Sequence, residues 1–128
     1  MFDWNNFLTL AEQLSSRPDP ASKRTAISRA YYFAFNVAMA RAIANCGPIR
    51  SGEPSHSWCW NRYMESENSS CRKIFLLGDR MKRRRIKADY DNADMPRIEQ
   101  DVQRALEDAR QVRDDLAVLP GTCPSPSA

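Results

Sequence analysis

Three groups of side chains could do chemistry in this 128-residue chain. The first lies in the stretch SRAYYFAFN at 28–36, where Arg29 and Asn36 stand seven residues apart with Tyr32 between them. On a helix that spacing brings all three to one face across two turns. A guanidinium there can neutralise a phosphate, whereas an amide can hydrogen-bond but cannot shuttle a proton. The next charge after Arg29 is Arg41, so this arginine is set into the most apolar part of the chain. A buried, unpaired arginine is costly, so its head must reach water, a carboxylate such as Asp89, or a ligand.

The second group is RMKRRRIK at 80–87, which holds six of the 19 basic residues and no acid. Without it the formal net charge would fall from +3 to −3, so the basicity is local. At 3.6 residues per turn, Lys82, Arg83, Arg84 and Arg85 point all round a helix, and at least one must face inward or toward a partner. Two readings stand side by side: cations favoured near a helix C-terminus, or a phosphate-binding patch for RNA, DNA or a nucleotide. The third group is His56, at the head of a short helix beside Trp58 and Trp60. A lone histidine is more often a capping or surface residue than a catalyst, and the tryptophans read as core.

Other chemistries lack their residues. ADYDNAD at 88–94 clusters acids and amides, but the bend glycine and closing glutamate of a calcium loop are missing. Cys46, Cys59, Cys71 and Cys123 have no paired zinc-ligand spacing, and they read as free thiols, two or three of them buried. There is no glycine-rich phosphate loop, no H-E-x-x-H, and no defensible Ser/His/Asp set. No metal or cofactor is expected.

Helices must position these groups. Trp4, Phe7, Leu8, Ala11 and Leu14 describe an amphipathic helix of about 13 residues behind a cap at Asp3. Asp19-Pro20 starts a second helix that runs to about Asn45 and is apolar almost all round, which places it at the centre of a bundle or at a subunit interface. A short helix at about 57–65 and another at about 70–88 follow. In the last helix Ile98, Val102, Ala105, Ala109, Val112, Leu116 and Leu119 alternate steps of four and three, a seam for packing against another helix, with Asp94 as its expected cap. No alternating strand pattern appears. The expectation is one all-α domain at 1–119, a four- to five-helix up-and-down bundle, followed by a flexible tail at 120–128 without an apolar anchor. No apolar run is long enough for a membrane span, and MFDWNNFL has no secretory-signal pattern, so a cytoplasmic protein is expected.

RTAISRAYYFAFNVA at 24–38, SH at 55–56, RIKADY at 85–90 and the alanine-spaced last helix together resemble the HEPN domain superfamily. The likeness is to its small branch with an S-R-A-Y-Y-A-A-F-H, S-H, R-x-x-A-D-Y signature, over about residues 5–119. The resemblance implies a bundle that often dimerises. Many such proteins are metal-independent ribonucleases of toxin–antitoxin or phage-defence systems; others are inactive, or bind nucleotides and partner proteins. Small ones are frequently paired with a minimal nucleotidyltransferase. Their nuclease motif is an arginine, four to six residues, then a histidine. Arg29 takes the arginine position, and Asn36 stands where the histidine would be. Proton transfer contributes roughly 10²–10⁴ in rate, so this departure implies a crippled nuclease unless His56 substitutes. By the same resemblance Arg29, Asn36 and His56 are the candidate catalytic set. Tyr32 with Lys82, Arg83, Arg84 and Arg85 would contact RNA or a nucleotide, and Asp89 and Tyr90 would complete a polar cluster. A non-enzymatic interaction or dimerisation module is the alternative.

Overall fold

The computed structural model describes residues 1–126 and contains five helices and, among those residues, no strand. They are α1 (Asn5–Ser15), α2 (Pro20–Cys46), α3 (Ser55–Glu65), α4 (Ser69–Tyr90) and α5 (Ile98–Val118). The expected all-α bundle is therefore what forms. None of the described helices is long and apolar enough to cross a membrane.

Local chemistry explains most of the boundaries. Asp3 Oδ1 accepts from the Asn5 N–H, and Asp19 Oδ2 accepts from the Ser22 N–H with Pro20 in the first turn. Each satisfies one of the donors that a helix start leaves open. Gly47, at φ +82°, ends α2 in a conformation that disfavours a side chain. Asn68 Oδ1 caps α4 through the Ser70 N–H. α5 departs from expectation: Asp94 does not cap it, and the Ile98 N–H instead donates to the Met95 carbonyl. Met95 is buried, so packing rather than a capping carboxylate fixes that entry.

α2 packs against all four other helices, as an apolar rod must. Ala26, Ala30, Ala34, Ala38 and Ala42 are essentially inaccessible and let the neighbours approach closely. α5 presents its predicted seam: Val102, Ala105, Ala109, Val112, Leu116 and Leu119 are all buried. α3 and α4 meet where Trp60 lies on Gly78, at a position where an added Cβ would overlap the indole. Tyr63 ties α3 to α2 by donating its hydroxyl to the Ala38 carbonyl at 2.7 Å inside the core. Cys59, Cys71 and Cys123 are buried free thiols, and burial pushes the Cys59 pKa up to about 12.

Two arginines of α2 terminate other helices. Arg24 donates to the carbonyls of Ala88, Asp91 and Ala93 at the end of α4. Arg41 donates to those of Leu116, Leu119, Pro120 and Cys123 just past the end of α5. These are the acceptors that a helix C-terminus leaves without internal partners. The segment after α5, read from sequence as a tail with no anchor, is thereby held: Cys123 and Pro124 are buried and Cys46 Sγ meets the Pro124 carbonyl. The last two residues of that tail lie outside the described residues.

Candidate functional site

The 3.6-residue period of α2 brings Arg29, Tyr32 and Asn36 to one face, where Trp4 and Phe7 of the α1 region meet them. Together with Phe35 they line an open pocket of about 360 Å³. The Arg29 guanidinium carbon lies 4.9 Å from the Phe7 ring centre and 5.2 Å from that of Tyr32. Such cation–π contacts hold a guanidinium in place without neutralising it. No carboxylate lines the pocket. Among the described residues none is ion-paired with Arg29, and its buried Nε has no hydrogen-bond partner. Asp89, the carboxylate that could have sealed it, instead accepts from Arg85 Nη1 at 3.4 Å and from Ser28 Oγ at 3.2 Å. Asn36 donates one Nδ2 proton to the Tyr32 carbonyl at 2.7 Å, which leaves its Oδ1 and its second N–H for a ligand.

His56 stands next to this pocket without lining it. Its ring stacks on Phe35 with centres 4.0 Å apart, and it meets Tyr32 edge-on. The buried Tyr31 hydroxyl lies 2.6 Å from His56 Nδ1. Trp60 Nε1–H donates to the same hydroxyl at 3.1 Å. An indole N–H can only donate, so Tyr31 accepts from Trp60, and the direction of its bond with Nδ1 follows the imidazole tautomer. Burial, followed by the charges of Arg85 and Lys82, lowers the His56 pKa and favours the neutral ring.

The basic run does not form one patch, because successive residues turn by about 100° around α4. Arg85 points at α2, its guanidinium within 5.2–5.7 Å of the ring centres of Tyr31, Tyr32 and Tyr90. Lys82 lies near enough to His56 to bias its titration. Arg83 faces solvent and pairs with Asp79. Arg84 turns the other way: it is nearly buried and, with Arg80, grips Asp108 of α5. That turns Arg84 away from the Arg29 pocket and into a separate one, where it shares the Asp108 carboxylate with Arg80. Tyr90 is largely exposed and Asp89 partly so, both at the rim near Arg85.

Of the residues singled out from sequence, Arg29, Tyr32 and Asn36 share the pocket, and His56, Arg85 and Asp89 adjoin it through Tyr32, Phe35 and Ser28. Arg83 and Arg84 do not join them. Sequence reasoning missed Trp4, Phe7 and Phe35 as pocket walls, since their spacing is equally that of core residues. It also missed the Trp60–Tyr31–His56 chain, which joins residues 25 and 29 positions apart.

Fold and site define an all-α bundle with a cationic, aromatic-walled pocket against its central helix. No protein-family model matches the chain, and neither a curated protein nor a solved structure does.

Proposed function

We propose that this chain is a HEPN-like helical-bundle protein that binds RNA or a nucleotide through the Arg29–Asn36 pocket and cleaves it poorly or not at all. One observation carries the reading: Arg29 is an unneutralised guanidinium lining a pocket open to solvent. Phosphate is the complementary ligand, and displacement of counterions from it makes such binding salt-dependent. The neighbouring groups support binding without cleavage. Arg29, Lys82 and Arg85 can only donate, and the Asp89 carboxylate is held by Arg85 and Ser28. Asn36, at the position where the resemblance would have a histidine, cannot take a proton from a 2′-hydroxyl, the step that general-base catalysis needs.

The resemblance further suggests a toxin–antitoxin or phage-defence setting, a homodimer, and a minimal nucleotidyltransferase as partner. A second reading, a non-enzymatic docking or dimerisation module, draws on a separate cavity of about 460 Å³ between α2 and α5, walled by Val37, Ala40, Leu116 and Ala117.

Fluorescence anisotropy with a short single-stranded RNA at low salt tests the first reading. Arg29→Gln is expected to weaken binding at least about tenfold, with the melting temperature nearly unchanged. Equal affinity of the two proteins would refute the pocket's role. In the same samples the native chain should leave the RNA intact, while Asn36→His should gain cleavage. If both forms stay inactive, the binding reading survives and descent from a nuclease does not.

A further inference from the structure

The pocket has features that a phosphate alone would not require. Aromatic rings form most of its wall, and its volume of about 360 Å³ sits at the small end of the usual 300–1,000 Å³ for ligand sites. A duplex cannot use such a wall, because its bases are already stacked on each other; an unpaired base can lie on an aromatic or guanidinium plane. Trp4 is the most accessible of the three tryptophans, since Trp58 and Trp60 are buried. Phe2 and Phe7 brace it through edge-on contacts with ring centres 4.8 and 5.1 Å away, so its plane is set before any ligand arrives. Arg29, with its guanidinium carbon 4.9 Å and 5.2 Å from the Phe7 and Tyr32 ring centres, lines the same space. Asn36 Oδ1 adds one acceptor, suited to a ribose hydroxyl or a base N–H.

We infer that this pocket holds one unstacked nucleotide of a single-stranded RNA, its phosphate on Arg29 and its base on the indole of Trp4. The inference rests on the RNA-binding reading above and adds the strand state and the base contact.

Titration of the full chain with an eight-nucleotide single-stranded RNA, the same length of abasic ribose-phosphate strand, a blunt RNA duplex and AMP separates the terms. The single strand is expected to quench tryptophan emission and to bind at least about fivefold more tightly than the abasic strand, the lower bound for one base–aromatic stack. The duplex should bind no better than the abasic strand. Trp4→Ala should lower affinity for the base-bearing strand by a similar factor and leave the abasic strand unchanged. Should that variant fold poorly, quenching of the native protein decides. Abasic and base-bearing strands binding alike, without quenching, would overturn the stacking contact while leaving Arg29-dependent RNA binding intact. Loss of all RNA binding, or its indifference to Arg29→Gln, would bring down both. AMP binding as tightly as the strand would assign the pocket to a free nucleotide and overturn the strand claim.

Discussion

Arg24, Arg29 and Arg41 all belong to α2, yet they meet different fates. The outer two each reach past their own helix and hand their protons to three or four backbone carbonyls at the end of a neighbour. The middle one rests on two aromatic rings beside an open pocket, with its Nε unpartnered. A guanidinium offers five donors, and folding normally fills them when burial removes water. Three donated bonds on Arg24 and four on Arg41, against an Nε with none on Arg29, separate two structural arginines from one that is left as the candidate for binding.

That contrast can be broken by substitution. Arg41→Ala strands acceptors at the end of α5 and frees the segment through Pro124, so unfolding by denaturant should show a loss of about 2–3 kcal/mol. Arg29→Ala forfeits two cation–π contacts and relieves a buried, unpaired Nε, so its cost should stay under about 1 kcal/mol. If Arg29→Ala proved as damaging as Arg41→Ala, the middle arginine would be structural too. Gly78→Ala tests the support behind His56. Alanine favours a helix by about 1 kcal/mol, but its methyl would overlap the buried Trp60 ring. Overpacking of that kind costs about 1–3 kcal/mol, so a net loss of stability is expected, and a gain would show that the indole is free to move. The smallest effect concerns pH. His56 has a folded pKa below its ordinary value of about 6.5, so the unfolded chain binds its proton first as pH falls. Its contribution is complete above pH of about 6.5 and is lost below it. Thermal melts between pH 7.5 and 5 should therefore fall more steeply for the native chain than for His56→Gln, and parallel curves would show that burial and the Arg85 and Lys82 charges do not depress this histidine.

Some of the site was legible before folding. Arg29, Tyr32 and Asn36 share a face because helical period is local, and the mixed directions of Lys82 through Arg85 follow from the same arithmetic. The partners were not legible. Nothing in RIKADY says that Asp89 will take Arg85 and Ser28 rather than Arg29. Nothing near Arg84 announces Asp108, 24 residues on. Trp4 and Phe7 share the apolar stripe of α1 with Leu8 and Ala11, yet only the latter two are buried.

By itself the sequence determined five helices, the central place of α2 and the inward seam of α5. Periodicity, capping residues and apolar content act over a few turns and need no distant partner. Only the tertiary structure decided which arginine stays open, which hydroxyl His56 meets, and what anchors the segment after α5. Each of those depends on a donor and an acceptor from different helices arriving within about 3 Å, and the order of residues along the chain does not encode that meeting.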